Sequence, residues 1–352
     1  MKNTNLFLDK KGIFYLILTS IFIALMIVIF LAYKEYTFTD RQKVFETRII
    51  TISDFIRSID TDSKRVIYIS GFRSLIAIED YVARSGNYTF NNTEELFRVA
   101  FYNGTVNGTV VDVLKDATYL DYLNKLRVIA GMVGLDINIS VPNITGIILY
   151  QESPWQVIVN VTVQINLTDQ KGLARWDFDK TYSANVSILS IRDPVYSVET
   201  HGLVPNPIRM TNITDVTQGF VGSGNDTTNL IKHVNDSYYV NNSLAPSFLM
   251  RLKGNFSNSS CCGIESFVNL QRLSDQGLVI NSSRSVIDYI YFSNDVNITE
   301  YGNRTVTEYY NKTFCNVKNM PIWFVIDARH VDPLREPNQP DYIEYLNYTN
   351  CP

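Results

Sequence analysis

The chain has 352 residues, and its 31 basic and 35 acidic side chains give a formal net charge of -4 at pH 7. This length can bury at least one full core, and two domains are the default expectation. The basic residues form no stripe and no glycine-rich phosphate loop is present, so the sequence argues against nucleic acid or nucleotide as a partner.

One apolar segment, Ile13 to Tyr33, contains no charged residue. As an α-helix rising about 1.5 Å per residue, it crosses the roughly 30 Å hydrocarbon core of a bilayer. A buried helix of a soluble protein rarely stays apolar around its whole circumference for this length. A secretory signal peptide has a shorter apolar region followed by small residues at a cleavage site, whereas Tyr33, Lys34 and Glu35 end and follow this segment directly. We therefore predict a transmembrane helix at residues 13–33, in contact with the lipid bilayer, after a leader of residues 1–12.

A helical pattern continues beyond the apolar segment. Apolar residues recur at alternating spacings of four and three at Phe45, Ile49, Ile52, Ile56 and Ile59. This spacing predicts one helical rod from Ile13 to Ile59, with two helices and a bend near Thr37 to Asp40 as the alternative. An amphipathic helix is predicted at Lys64 to Arg84, ending before Gly86, so that residues 34–86 form a helical stalk.

Residues 87–200 are predicted to combine helices with a sheet. Helices are expected at Asn92 to Tyr102 and at Ala117 to Val133, the second with an apolar face formed by Leu120, Leu123, Leu126, Ala130 and Val133 and a stop at Gly134. The period then changes to two, which predicts strands at Leu135 to Val141, Asn143 to Tyr150, Trp155 to Thr168, Trp176 to Phe178 and Tyr182 to Ile188. Four or five such antiparallel strands would form a meander, and the helices between Lys64 and Val133 would cover its apolar face.

A second region, residues 201–352, is expected to be rich in β-structure. Strands are predicted at Ser285 to Phe292 and at Met320 to Ile326, and the latter is expected to be buried because both of its faces are apolar. The Asn/Gly/Ser-rich stretch from Thr211 to Ser243 and the Pro-rich stretch from Asp332 to Pro340 are predicted to be loops. The fold class is therefore α+β, with a long N-terminal transmembrane helix, a helix-covered antiparallel sheet and a second β-rich region stapled by disulfides.

The asparagines carry the strongest signal for location. Far more N-x-[ST] acceptors for N-glycosylation occur than random placement would give, and there are twenty of them: Asn87, Asn91, Asn103, Asn107, Asn138, Asn143, Asn160, Asn166, Asn185, Asn212, Asn225, Asn235, Asn241, Asn255, Asn258, Asn281, Asn297, Asn303, Asn311 and Asn347. Lysines and arginines flank both ends of the apolar segment, so the positive-inside rule does not decide its orientation. Because glycans are added outside the cytoplasm, we predict an extracellular body and a cytoplasmic leader.

Several sequons coincide with the predicted strands. In a strand, the Asn and the hydroxyl residue two positions later share one face, opposite the apolar set. We therefore expect an exposed sheet face at Asn138, Asn143, Asn160, Asn166 and Asn185, with Val161, Val163, Ile165 and Leu167 buried beneath it.

The four cysteines lie in the C-terminal region, at Cys261, Cys262, Cys315 and Cys351. An even number fits two disulfides in an oxidising compartment, with four free thiols as the alternative. Because a bond between neighbours would be strained, we expect Cys261 and Cys262 each to pair with Cys315 or Cys351. No C-x-x-C spacing exists and the three histidines His201, His233 and His330 are scattered, so neither a metal site nor a cofactor is expected.

A lysine and a glycine, Lys11 and Gly12, directly precede the uninterrupted apolar helix that begins at Ile13. This arrangement, ahead of an extracellular α+β domain, resembles the class III signal peptide of archaeal type IV pilins and pilin-like proteins. The resemblance covers the first sixty residues in motif and the next 130 in architecture. It implies cleavage between Gly12 and Ile13 and packing of the apolar helix against other pilin-like subunits, and it agrees with extensive N-glycosylation. Ordinary membrane-flanking lysines and a helix-start glycine are the alternative.

Two segments carry side chains that are suited to chemistry or metal binding. Asp327, His330 and Asp332 follow a predicted strand and could act as a base or bind a metal, although charged strand ends are more often simply solvated. The Gly219 to Asn229 stretch offers Asp226 for calcium but lacks the repeated acidic spacing of a calcium loop.

The favoured hypothesis is a non-enzymatic, membrane-anchored surface glycoprotein of pilin-like architecture with a structural or adhesive role in a filament or the cell envelope. The alternatives are an unprocessed single-pass glycoprotein with a binding or sensory ectodomain and an anchored extracellular enzyme.

Overall fold

The computed structural model describes residues 10–211, 227–282, 284–293, 315–317, 319–326 and 348–349. The chain forms two compact units: Met1–Thr61 with Asp169–Arg175, and Asp62–Thr168 with Trp176–Pro352. Both helices and antiparallel strand pairs are present, so the α+β class is confirmed at this level.

A single helix, α1, runs from Lys10 to Ser85. Its backbone remains helical through residues 37–40, so the predicted rod and the helix predicted at Lys64 to Arg84 are parts of one helix. The segment contains no proline, the residue that most strongly breaks a helix. The helix ends where the glycine was expected to end it: Gly86 has a φ of +64° and its N–H donates to the Val82 carbonyl at 3.0 Å.

Within the first unit, the predicted apolar stripe of α1 is only partly buried. Ile52 and Ile59 are buried, whereas Phe45 and Ile49 are 44% and 54% exposed. An ion pair of 2.6 Å joins Arg48 Nε to Asp169 Oδ1 at the tip of a β-hairpin. The other carboxylate oxygen of Asp169 accepts the Lys171 N–H at 3.0 Å, which helps to fix the turn of this hairpin.

In the second unit, two predicted helices are confirmed. Helix α2 spans Thr93–Asn103 after a 3₁₀ turn at Phe90–Asn92, and α3 spans Tyr119–Met132. A capping box starts α3, because the Asp121 N–H donates to Thr118 Oγ1 at 3.0 Å while the Thr118 N–H donates to Asp121 Oδ2 at 3.1 Å. The buried face of α3 is Tyr119, Leu123, Leu126 and Ala130.

Two members of the face predicted for α3 differ from the expectation: Leu120 is half-buried and Val133 is exposed. The helix ends at Met132, so Val133 is not part of its last turn, and Gly134 follows with a φ of +72°.

Four strands form the main sheet: β3 (Leu135–Ser140), β4 (Ile147–Ser153), β5 (Gln156–Asp169) and β6 (Arg175–Ser187). The strands predicted around Trp176 and Tyr182 are one continuous strand, β6. The order is β3-β5-β4, with β6 also paired to β5, so the predicted simple meander is wrong. At fourteen residues, β5 is about twice as long as β3 or β4, which lets it pair with both of them as well as with β6.

The expected helical cover is confirmed where α1 crosses the sheet at Gly71. A Cβ atom at this position would lie 3.0 Å from Val186 Cγ2 and 3.4 Å from Val159 Cγ2, so the helix backbone lies directly on the side chains of β5 and β6. Alternate residues of β5 point toward this layer and are buried, from Val157 to Leu167.

We expect Gly71→Leu to destabilise the second unit by about 1–3 kcal/mol, because the added side chain has no room above Val186 and Val159. The measurement is the midpoint of urea unfolding of the full chain in detergent. The matched control is Gly131→Leu on α3, where a Cβ would meet nothing within 4 Å. An equal effect of both substitutions would contradict the close packing at Gly71.

The region after residue 200 differs most from the prediction. Its described helices are α5 (Thr228–Asp236), α6 (Phe248–Lys253), α7 (Leu270–Asp275) and α8 (Asp288–Phe292), after α4 (Pro194–Glu199). Its described strands are only two or three residues long: β7 (Tyr239–Asn241), β8 (Ile264–Ser266), β9 (Cys315–Val317), β10 (Val325–Ile326) and β11 (Tyr348–Thr349). The description β-rich does not fit these residues.

Both strands predicted in this region need correction. The Ser285 to Phe292 stretch makes one isolated bridge at Ile287 and then forms α8. All five residues of α8 are buried, and a short segment buried on every side gives no period that separates a helix from a strand. In the Met320 to Ile326 stretch only Val325–Ile326 is a strand, and Ile322 is 87% exposed rather than buried.

The disulfide prediction is also wrong for the first two cysteines. Cys261 and Cys262 bond to each other across a Cα–Cα distance of 3.7 Å. The backbone turns there: Ser260 has a φ of +61° and the Cys262 N–H donates to Ser259 Oγ at 3.2 Å, so adjacent sulfurs can meet despite the expected strain. A bond between neighbours leaves neither cysteine for Cys315 or Cys351 and does not staple distant segments.

Candidate functional site

The apolar start of α1 is exposed along its entire described length. From Gly12 to Glu35, 24 residues form a helix long and apolar enough to cross a membrane, and none of it is buried by the protein. The large side chains between Ile13 and Tyr33 are between 40% and 68% exposed. An N-terminal helix of this kind is compatible with a transmembrane span or with a signal sequence.

The hydroxyl groups of Thr19 and Ser20, in the first half of this segment, are satisfied inside the helix. Thr19 Oγ1 donates to the Tyr15 carbonyl at 2.9 Å, and Ser20 Oγ donates to the Ile17 carbonyl at 2.9 Å. Lipid offers no hydrogen-bonding partner, so a helix within a bilayer must satisfy such hydroxyl groups internally. Between Ile13 and Tyr33 the outer surface is therefore mainly hydrocarbon, with the Tyr15 and Tyr33 side chains also exposed.

The predicted processing positions lie at the beginning of α1. The helix includes the backbone of Lys11, Gly12 and Ile13, and a Cβ at Gly12 would meet nothing within 4 Å. Ile13 is 40% exposed. A protease that reads an extended peptide can reach the Gly12–Ile13 bond only after this first turn unwinds.

Fourteen of the twenty sequon asparagines lie in described residues. Twelve are exposed: Asn87, Asn91, Asn103, Asn107, Asn138, Asn143, Asn185, Asn235, Asn241, Asn255, Asn258 and Asn281. Two, Asn160 and Asn166, are half-buried. Asn212, Asn225, Asn297, Asn303, Asn311 and Asn347 lie outside the described residues.

The two half-buried asparagines modify the expectation for the outer face of the sheet. Asn160 Nδ2 donates to the Tyr150 hydroxyl at 3.4 Å, and Asn166 Nδ2 donates to Asp177 Oδ2 at 3.3 Å. Both lie on the central strand β5, where long side chains of neighbouring strands reach across them. Asn138 and Asn185 lie on strands and are exposed as predicted, and the apolar set of β5 is buried. Asn143 is exposed too, but it precedes the 3₁₀ turn Ile144–Gly146 and lies in no strand, so its predicted place on the sheet face is wrong.

Three sequons adopt the same local geometry. The side-chain carbonyl of the Asn accepts the backbone N–H two residues later, at 3.1 Å for Asn143, 2.9 Å for Asn255 and 2.6 Å for Asn258. This Asx turn engages the oxygen of the amide group. The amide nitrogen, the atom that a glycan would modify, takes no part in these three hydrogen bonds.

The most polar interior feature is a closed cluster that the sequence did not indicate. Arg251 Nη1 lies 2.6 Å from Asp193 Oδ2 and Arg251 Nη2 lies 3.1 Å from Asp288 Oδ1, and all three side chains are fully buried. The Tyr239 hydroxyl donates to Asp193 Oδ2 at 2.7 Å, and the Ser266 N–H donates to Asp288 Oδ2 at 3.0 Å.

The charges of this cluster depend on one another. Burial raises the pKa of Asp288 to about 6, although the Arg251 guanidinium acts in the opposite direction. Burial also disfavours the charge of Arg251, but the two carboxylates outweigh it and raise the pKa of the guanidinium. Since no surface of the cluster reaches solvent, we assign it to stability rather than to chemistry.

A second charged group lies at the end of α1. Arg192 Nε is 2.9 Å from Glu79 Oε2, and Ser197 Oγ donates to Glu79 Oε1 at 2.6 Å. Burial raises the pKa of Glu79, while the Ser197 hydrogen bond and Arg192 partly offset this rise.

The two segments that carry candidate catalytic or calcium-binding residues lie largely outside the described residues. Asp327, His330 and Asp332 lie outside the described residues, as do Gly219 to Asp226 of the glycine-rich stretch. Within the described part of the chain no group of three or more His, Cys, Asp or Glu side chains could hold a metal ion. His233 is buried beside Tyr238 and Phe267, and His201 is exposed.

The buried cluster was missed because its members are 58 and 37 residues apart, so no local motif marks them. The remaining functional features are the exposed apolar helix and the accessible sequons.

No protein-family model, curated protein or solved structure matches this chain.

Proposed function

We propose that this chain is a membrane-anchored, N-glycosylated cell-surface protein of pilin-like architecture, with a structural or adhesive role in a filament or the cell envelope. The observation that carries the proposal is α1. Its first part is an apolar helix with no buried residue, and its last part packs through Gly71 on an antiparallel sheet. Archaeal pilin-like proteins, which the leader resembles, are built around such a helix.

Anchoring follows from the exposed surface of the apolar segment. Leaving one large apolar side chain in water rather than burying it costs about 1.5–3 kcal/mol, and this segment exposes such side chains on all sides. A bilayer removes that cost, since 24 helical residues extend about 36 Å.

An extracellular body is supported by the distribution of the sequons. All described acceptors lie after the apolar helix, and none of them is buried. A disulfide between Cys261 and Cys262 also fits an oxidising compartment. The leader of residues 1–12 would then be cytoplasmic.

The structural role would come from helix association. In a membrane or a filament core, the apolar helix of one subunit can pack against the same helix of the next by close contact of side chains. The glycosylated ectodomain would remain outside, where it could contact other cells or surfaces. The alternative is a single unprocessed anchor with a binding or sensory ectodomain. It has the same membrane helix and extracellular body, but its leader is not cleaved and its helix does not assemble with other subunits.

The decisive measurement is the N-terminal residue of the mature membrane protein, read by mass spectrometry. We expect Ile13. An intact Met1 in cells that contain the pilin leader peptidase would favour the unprocessed anchor, and an N-terminus beyond Tyr33 would identify a signal sequence and overturn the anchoring proposal.

Gly12→Leu is the companion variant, and it should leave the leader attached, because the family resemblance places cleavage directly after this glycine. Phe14→Leu is the control, since it keeps the span apolar and leaves Lys11 and Gly12 in place. Equal processing of both variants would contradict a pilin-type cleavage.

A further inference from the structure

A groove of about 550 Å³ lies between the last turns of α1 and the β-hairpin formed by β1 (Thr105–Val106) and β2 (Thr109–Val110). Tyr81, Asp80 and Arg84 line it from the helix, and Val110 lines it from the hairpin. Val110 is 74% exposed, so the groove is open to solvent along the hairpin side.

A glycosylation acceptor forms the tip of this hairpin. Residues Asn107 and Gly108 connect the two strands and have φ values of 48° and 77°, as a two-residue type I′ turn requires. Thr109 completes the sequon and is exposed. The turn directs Asn107 toward the helix, where its Nδ2 atom donates to the Tyr81 hydroxyl at 3.3 Å.

We propose that the groove holds the first sugars of a glycan attached to Asn107, so that this glycan lies against the protein instead of extending into solvent. The inference rests on the extracellular, N-glycosylated state proposed above. It concerns a specific contact between the chain and its own modification.

The chemistry of attachment is compatible with the observed hydrogen bond. The Nδ2–C1 bond forms as the C1–O bond to a lipid-linked phosphate sugar donor breaks, and Nδ2 loses one of its two protons. The remaining N–H can still donate to the Tyr81 hydroxyl. The sugar therefore starts at the mouth of the groove.

The lining of the groove suits a sugar. Sugars present apolar C–H faces together with neighbouring hydroxyl groups, and binding sites combine an aromatic or apolar wall with a few fixed polar groups. Tyr81, Val106 and Val110 supply the apolar wall. Asp80 supplies a carboxylate fixed by Arg84 Nη2 at 2.6 Å and by Arg192 Nη2 at 3.2 Å, and the arginines add hydrogen-bond donors.

The test uses the full chain made in cells that glycosylate it. Glycopeptide mass spectrometry first establishes which sequons are occupied, and hydroxyl-radical footprinting then measures the solvent access of Tyr81. Thr109→Val removes the acceptor at Asn107, and we expect the labelling of Tyr81 to rise several-fold. Asn107→Asp is a second variant, because Asp tolerates the positive φ of this turn and cannot accept a glycan.

Two controls make the comparison specific. Thr145→Val is the same substitution at the exposed Asn143 sequon, which does not line the groove, and it should leave Tyr81 labelling at the wild-type level. Tyr68, which is 41% exposed on α1 and outside the groove lining, should keep its labelling in all variants.

Three results separate this inference from the proposed function. Occupied sequons elsewhere with an unoccupied Asn107 would overturn the inference alone. So would an occupied Asn107 whose loss leaves Tyr81 labelling unchanged, because the glycan would then project into solvent or something else would cover the groove. If no sequon is occupied, the N-glycosylated state itself is refuted and the inference fails with it.

Discussion

Replacing Arg251 by Met is expected to destabilise the second unit by about 3–5 kcal/mol, the range measured when one partner of a buried ion pair is removed. Most small domains have only 5–15 kcal/mol of unfolding free energy in total. We therefore expect the variant to lose a large part of its unfolding free energy at 25 °C.

The physical reason is the charge that would remain. Asp193 and Asp288 both have fully buried side chains, and both contact the Arg251 guanidinium. Without the guanidinium, two like charges would face each other in the interior, where desolvation disfavours each of them. Arg251 also connects separate elements, because Asp193 caps α4 through the Val195 N–H and Asp288 begins α8.

The measurement is urea unfolding of the full chain in detergent, followed by circular dichroism. Arg272→Met is the matched control, since Arg272 is only partly buried and its Nη2 atom donates to a single carbonyl, that of Pro205. The double variant Arg251→Met with Asp288→Asn should recover part of the loss by removing one of the stranded charges. A loss below about 1 kcal/mol for Arg251→Met alone would show that the carboxylates are protonated or solvated without it.

The long periodic elements could be predicted from sequence because one physical constraint dominates each of them. In β5, the strict alternation through Val161 and Val163 reflects a sheet with one face on a helical layer. In α1, the apolar segment and the amphipathic segment after it both have helical patterns, and no proline separates them. Such patterns can be recognised in the sequence because all residues on one face of the element share the same surroundings, and the pattern repeats over many residues.

The pairing of the strands could not be predicted in the same way. Alternation gives the two faces of a strand but not its neighbours, and the length of β5 allows β3 to pair with it instead of with β4. Short elements failed for a different reason. In α8 the Asp288 carboxylate is held by Arg251, a residue 37 positions earlier, and this tertiary contact outweighs the strand-like composition of the segment.

The features proposed for function were predictable to different degrees. The apolar segment and the sequons are local patterns, and the structure adds that twelve of the fourteen described acceptors are exposed. The groove at Asn107 was not predictable, because Tyr81 lies 26 residues away and reaches the acceptor only through the packing of the hairpin against α1.

A second large effect is expected when the pH falls, through His233. This side chain is buried next to Phe267, at a ring-centroid distance of 5.4 Å, and burial lowers its pKa from the ordinary value of 6.5 to about 3. In the unfolded chain, the imidazole takes up a proton below pH 6.5, whereas in the folded chain it stays neutral until about pH 3.

The unfolded state therefore binds more protons between these two values, and the free energy of unfolding decreases as the pH falls. The decrease is about 1.4 kcal/mol per pH unit once the pH is well below 6.5. Asp288 acts in the opposite direction in part of this range: its pKa is raised to about 6, so the folded state takes up this proton first as the pH falls toward 4. Other carboxyl groups contribute as well, among them Glu79, whose pKa is also raised by burial. The wild-type curve is the sum of all these groups, so His233 must be isolated by substitution.

His233→Phe keeps an aromatic ring beside Phe267 and Tyr238 and removes the titrating group. We expect the difference in unfolding free energy between wild type and variant to shift by about 1.4 kcal/mol per pH unit, in favour of the variant, as the pH falls from 6 to 4. Urea unfolding at several pH values measures this difference, with His201→Asn as the control for removing an exposed histidine. Parallel curves for wild type and His233→Phe would contradict the lowered pKa, because a histidine that is protonated equally in both states contributes no slope.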